Sequence, residues 1–172
     1  TIIGGADAAL FSIDPSSGEL QFIGVPDFEK PQDAGKDNVY ELQVQVSDGT
    51  LTDTETVSVT VTEVNEAPEI TSNLGFKISL GIEENTTAVT TITSTDVDDG
   101  ATLTYSLVAG SDSALFSIDK DTGVLSFINS LDYEHKFDAG NYNIYDVTVQ
   151  VSDGALTDTQ DVSVKDNDVN EA

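Results

Sequence analysis

The sequence predicts an all-β protein built from tandem β-sandwiches, and three observations carry that expectation. Apolar and polar residues alternate with a period of two, a long block of sequence returns at a fixed offset, and short turn motifs punctuate the chain at regular spacing.

Alternation marks the strands in chain order. In VYELQVQV, Tyr40, Leu42, Val44 and Val46 share one face while Glu41, Gln43 and Gln45 share the other, which is the pattern of a strand buried on one side. TVSVTV follows with Val57, Val59 and Val61 inward. Further strands are expected at Phe76–Ile82, Val89–Thr93, Leu103–Val108, Ala114–Ile118 and Val124–Ile128. The segments DPSSG, SDG, DVDDG and DKDTG mark turns, with glycine where positive φ is expected. No ten-residue stretch has helical periodicity. Seven short strands with regularly spaced turns read as a sandwich.

LFSID at Leu10–Asp14 returns at Leu115–Asp119, an offset of 115 − 10 = 105, and VSDG (Val46, Val151) and LTDT (Leu51, Leu156) repeat with the same offset. Roughly half of the aligned positions between Thr1–Ala67 and Ser106–Ala172 are identical. Residues 1–67 therefore read as the C-terminal two-thirds of a repeat and residues 68–172 as a complete one. One inward position breaks the pattern. Asp166 stands where the first repeat has Val61, so either the last strand ends at Val164 or that end is rearranged.

With 32 acidic residues against 6 basic ones, the formal net charge is -26. Contact with nucleic-acid phosphates requires a basic face, so that class of partner is excluded. Self-repulsion on this scale calls for cations among the carboxylates. There is no Cys to form disulfides and no Met, and the chain reads as a segment of a longer one. It contains no apolar run of the roughly 18–20 residues a membrane helix needs, and no signal peptide is visible.

Carboxylates and amides recur at strand ends: Asp27 and Glu29 in PDFE, Asp48 and Asp153 in SDG, Glu63, Asn65 and Glu66 in EVNEA, Glu83 and Glu84 in IEEN, Asp96 and Asp98 in DVD, Asp132 and Glu134 in LDYE, and Asp168, Asn170 and Glu171 in DVNEA. Clustered carboxylates do not stay ionised and dry without a cation. A ligand set of hard oxygens fits Ca2+, whereas zinc favours His or Cys, and the chain has one His and no Cys. Paired acids such as Asp132 and Glu134 also occur in glycoside hydrolysis, but here they read as metal ligands, and no catalytic residue is expected.

In order and spacing, the series IEEN, TDVDDGATLTYSL, FSIDKDTGVLSF, LDYE, YDVTVQVSDG and DVNEA resembles a cadherin repeat, in the form found in large bacterial surface and secreted proteins. The resemblance covers the whole chain. It implies seven-stranded Greek-key (cadherin/Ig-like) sandwiches joined end to end, with Ca2+ at each junction. Carried over by motif, one junction would use Asp27, Glu29, Asn65, Glu66, Asp96, Asp98 and Asp153, with Glu63 as a further ligand. A second, incomplete one would use Glu83 or Glu84, Asp132, Glu134, Asp168, Asn170 and Glu171. The linker departs from the animal form Asp-x-Asn-Asp-Asn-x-Pro, reading Glu-Val-Asn-Glu-Ala-Pro at Glu63–Pro68, one residue shorter.

The resemblance implies a non-enzymatic, extracellular, calcium-rigidified spacer or adhesion module of a bacterial surface protein or filament. Its expected partners are adjacent repeats of the same or neighbouring chains, with strand addition from a neighbour as one route to complete the first repeat. The alternative is a calcium-dependent carbohydrate-binding module whose partners are surface glycans. Such modules usually stack exposed aromatics on sugars, and this chain has no Trp.

Overall fold

The computed structural model describes residues 1–170, and the described chain falls into two compact units that divide between Val64 and Asn65. Among the described residues no helix is long and apolar enough to cross a membrane.

In the first unit, β1 (Ile2–Gly4), β4 (Val39–Ser47) and β5 (Thr52–Thr60) form an antiparallel sheet in the order β1-β4-β5. β2 (Phe11–Ile13) and β3 (Leu20–Phe22) pair opposite it. Phe11 stacks on Phe22 at 4.3 Å, and Phe22 meets Tyr40 edge-on at 5.1 Å, so the aromatic contact joins the two layers.

The second unit holds the larger core. β10 (Thr104–Ala109), β13 (Ile144–Ser152), β14 (Thr157–Asn167) and β7 (Ile78–Glu83) form one sheet in the order β10-β13-β14-β7, with β14 and β7 parallel. β11 (Phe116–Ile118), β12 (Val124–Phe127) and β8 (Ala88–Thr91) form the other. The short pair β6 (Glu69–Ile70) and β9 (Ser94–Thr95) lies beside them. The first chain path is interrupted between β6 and β7, and the second between β8 and β9, so the nine pieces trace seven paths of a sandwich. Phe116, Phe127 and Tyr145 repeat the aromatic arrangement of the first unit, with centroids 4.2 and 5.3 Å apart.

Two expected strands begin late. Asn73 and Leu74 take positive φ in a helical turn at Ser72–Gly75, which leaves Phe76 exposed and starts β7 at Ile78. A second helical turn, Ser113–Leu115, removes Ala114 and Leu115 from β11. Both turns precede the strand by one short winding that period-two alternation does not register.

Inward alternation holds along β13, where Tyr145, Val147, Val149 and Val151 are all buried. In β4 it fails at its end: Val46 is 68% exposed, whereas its equivalent Val151 is 0% exposed. Val151 lies opposite Tyr105 of β10. In the first unit, β1 pairs only as far as Val44 and Gln43, so Val46 has no cross-strand neighbour on that side. β14 does not stop at Val164. It runs through Asp166, which stays in register opposite Ile82 and is 0% exposed. The expected break in the strand is therefore a charge substituted into an intact inward position.

Buried acids act as clamps in both units. Asp7 accepts the amides of Ala34 and Glu41 at 2.7 Å each, and Asp112 accepts those of Ala139 and Asp146 at 2.7 and 2.9 Å. Asp33 and Asp138, in the two DAG segments, accept the amides four and five residues on, so these segments are clamped turns. Gly5 and Gly110 sit at φ 108° and 113° just before the first clamp. A Cβ there would lie 2.3 Å from Leu42 Cα or 2.5 Å from Val147 Cα, which only glycine avoids.

Two outcomes follow for chemical denaturation. Val151→Ala is expected to cost about 2 kcal/mol, and Val46→Ala less than about 0.5 kcal/mol. Asp112→Ala is expected to cost about 2–4 kcal/mol because two part-buried amides lose a buried, charged acceptor.

Candidate metal centre

The DVDDG turn between β9 and β10, the SDG turn between β13 and β14, and the start of the second unit meet at one end of that unit. One carboxylate oxygen from each of Asp96, Asp98 and Asp153 lies within 4.8 Å of those from the other two. The local chain dictates how each acid is held. Asp96 Oδ1 accepts the Asp98 amide at 3.0 Å, and Asp98 Oδ2 accepts the Glu66 amide at 3.1 Å. Asp153 Oδ1 closes its own turn by accepting the amides of Ala155 and Leu156 at 2.6 and 2.7 Å. Its Oδ2 accepts Asn65 Nδ2 at 2.8 Å. The Ala155 amide first, then the Asn65 side chain and the Leu156 amide, hold the Asp153 carboxyl below the usual carboxylate range.

Asn65 and Glu66 are tied to Asp153 and Asp98 and so belong with the second unit.

Two oxygens of the cluster, Asp96 Oδ2 and Asp98 Oδ1, are buried without a hydrogen-bond donor among the described residues. Orphaned, ionised oxygens in a buried position are costly unless something positive meets them. No basic side chain forms an ion pair with them among the described residues. The donors are all hard oxygens, so the residues fit Ca2+ and not zinc.

A second group, Glu84, Asp132 and Glu134, also brings one carboxylate oxygen each within 4.8 Å of the others. Glu84 is 3% exposed; its Oε1 accepts the Val169 amide at 2.8 Å and its Oε2 the Tyr133 amide at 2.9 Å. Asp132 Oδ1 accepts the amides of Glu134 and His135, and its Oδ2 meets His135 Nδ1 at 2.8 Å. The His135 side chain is the main reason the Asp132 carboxyl sits below its ordinary value.

Of the residues expected to bind metal, the second unit brings together Asp96, Asp98 and Asp153, with Asn65 and Glu66 attached, and separately Glu84, Asp132 and Glu134. Between Glu83 and Glu84, the buried one is Glu84; Glu83 ends β7 exposed, since successive strand residues face opposite ways. Glu63, Asp168 and Asn170 are exposed, and Glu171 lies outside the described residues. In the first unit, Asp27 is half-exposed and accepts both the Lys30 amide, at 3.0 Å, and its Nζ, at 3.3 Å. Glu29 is half-buried on the same loop.

Two participants escaped the sequence reading. His135 is exposed on the surface, and its ring pairs with Asp132. Asp166 stood out only as a break in alternation. Burial, and next the charge of Glu84, push its carboxyl up to about 6.

Residues 78–165 match the cadherin domain model. The chain is 33% identical over 181 residues to human protocadherin Fat 1 and 32% identical over 177 residues to mouse cadherin-23, matches that span 99% and 97% of this chain. They cover 4% and 5% of those proteins, so the chain spans a small part of its relatives' length. Among solved structures, human protocadherin-24 EC1-2 superposes with a TM-score of 0.66 at 21% identity, covering 99% of this chain and 81% of that one. Mouse cadherin-23 EC22-24 superposes with a TM-score of 0.63 at 24% identity, covering 98% and 52%. These likenesses establish the seven-path sandwich as that of cadherin ectodomains. Cadherin domains are extracellular adhesion modules, not enzymes, and calcium binding is typical of them. On the domain match and the identities to Fat 1 and cadherin-23, the chain belongs to the cadherin family.

Proposed function

We propose that the chain is a calcium-rigidified repeat segment of a surface adhesin or filament, acting as a spacer or adhesion module. The observation that carries this reading is the orphaned pair Asp96 Oδ2 and Asp98 Oδ1 within a three-carboxylate cluster to which the linker residues Asn65 and Glu66 are already tied. Calcium, when bound, supplies the positive charge this oxygen set lacks, with affinity about 10⁻⁴–10⁻³ M as in extracellular modules. Asp96 and Asp98 present the free oxygens, Asp153 holds Asn65, and the Glu66 amide fixes Asp98, so the linker becomes part of the site's wall. Asp27, Glu29 and Glu63 are proposed as ligands contributed from the first repeat. Glu84, Asp132 and Glu134, with Asp168, Asn170 and Glu171, are proposed as the corresponding set towards a following repeat. A bacterial surface setting is proposed on the shortened linker at Glu63–Pro68; the relatives named above are human and mouse proteins.

Asp98→Ala tests the reading by calorimetric calcium titration and thermal unfolding. Affinity is expected to fall at least about tenfold, or about 1.4 kcal/mol, and the calcium-dependent rise in Tm to shrink, with a smaller change in chelator. Equal shifts in calcium and chelator would contradict the assignment.

The Asp132–His135 pair generates a pH outcome. The folded pKa of Asp132 is depressed, so the pairing stabilises above the carboxylate's unfolded pKa, and that stability is lost as pH falls through the folded value. In calcium-free buffer, His135→Ala is expected to move the Asp132 carboxyl titration upward. Carbon-detected NMR of the side-chain carboxyl reads this directly.

A further inference from the structure

Asp166 is the one acid of the second unit that is 0% exposed with both carboxylate oxygens lacking a hydrogen-bond donor among the described residues. Its backbone is ordinary: the amide donates to Asn143 O at 2.9 Å, as the Val61 amide donates to Asn38 O at 2.9 Å in the first unit. The side chain differs between the two repeats at this place, and so does the strand: β14 runs on to Asn167 beside β7, whereas β5 ends at Thr60, just before Val61. The other buried side chains of β14 are Gln160, Val162 and Val164, and Gln160, unlike Asp166, is satisfied by Ser72 and Phe76.

The surroundings of Asp166 are acidic. It stands in register with Ile82, and two residues beyond Ile82 lies Glu84, whose amide donates to Asn167 O at 3.2 Å. Glu84 in turn accepts the amides of Val169 and Tyr133, so it ties the end of β14 to the loop carrying Asp132 and Glu134. Asn143, the backbone partner of Asp166, donates its side-chain amide to Tyr133 O at 3.0 Å and reaches the same loop. The Glu84 charge, then those of Asp132 and Glu134, act on the Asp166 carboxylate. None of the basic side chains that form ion pairs among the described residues pairs with Asp166 or Glu84. A buried carboxylate beside others, with no donor and no basic partner, marks a position that is satisfied by a cation.

We propose that Asp166 is a core-buried counter-charge to a divalent cation held by Glu84, Asp132 and Glu134. The end of β14 in the second unit then packs fully only when that cation is bound, whereas the first unit, with Val61, carries no such requirement at this position. The inference rests on the calcium reading above and goes further in making the interior of one repeat, and not only its surface loops, depend on the ion.

The test compares the 172-residue chain with Asp166→Val, which installs the residue the first repeat already accommodates, and with the near-isosteric Asp166→Asn. Glu84→Gln serves as the binding control. Calcium titration, Tm in calcium and in EDTA, and hydrogen exchange of the Asp166 and Val169 amides are recorded. For both Asp166 variants, calcium affinity is expected to fall about tenfold, with Tm in EDTA above that of the unsubstituted chain. Amide protection is expected to become insensitive to calcium. If Glu84→Gln weakens binding while both Asp166 variants match the unsubstituted chain in affinity and in calcium-dependent protection, this inference is overturned and the calcium reading stands. If the unsubstituted chain binds no calcium, both fall.

Discussion

An excess of carboxylates over basic partners is the constraint on which the rest of this structure depends. Four ion pairs occur among the described residues, all with exposed side chains, and exposed pairs contribute little. Many acids accept peptide amides instead. Asp14 and Asp119 close their turns, Asp48 and Asp153 theirs, and Asp7, Asp33, Asp112 and Asp138 pin the long loop to the sheet. Against that background, the few buried oxygens without a donor become informative. They separate acids whose oxygens are met by amides from acids that keep a buried oxygen without a donor, a distinction that composition alone does not make.

The sandwich explains why the two kinds lie where they do. Strand faces are filled by valines and by a stacked aromatic group, so a buried acid such as Asp7 or Asp112 is costly unless amides meet it. Turns at one end of the second unit gather Asp96, Asp98 and Asp153, and Glu84, Asp132 and Glu134 form a separate group. Each group mixes residues distant in sequence, because antiparallel connection returns the chain to the same end every second strand.

Much of this was legible in the sequence. The alternation in VYELQVQV, carried forward by the 105-residue offset, matches the buried residues of β13, and the acids in the repeated motifs include those that cluster. The misses have physical causes. Val46 is exposed although its pattern is that of Val151, because alternation reports which way a side chain faces and not whether anything covers it. The late starts of β7 and β11 come from helical turns too short to leave a period. Glu83 and Glu84 were inseparable until the strand's pleat assigned one to each side. Asp166 looked like the end of a strand because a lone acid in a valine row is ordinarily a terminus. Only its register opposite Ile82 shows the strand continuing.

The clamped loop has a consequence for how such repeats diversify. In both units an aspartate ahead of β2 or β11 accepts one amide within the long loop and one in the strand that follows it, and a second aspartate closes the tight bend, while the residues between differ: Lys36 and Asp37 in one repeat, Asn141 and Tyr142 in the other. Because backbone groups supply the grip, the exposed tip is free to change its chemistry without disturbing the frame. Each copy in an array thereby offers a variable address on an invariant mount, a place where new specificity, or a grafted label, enters at little cost to folding.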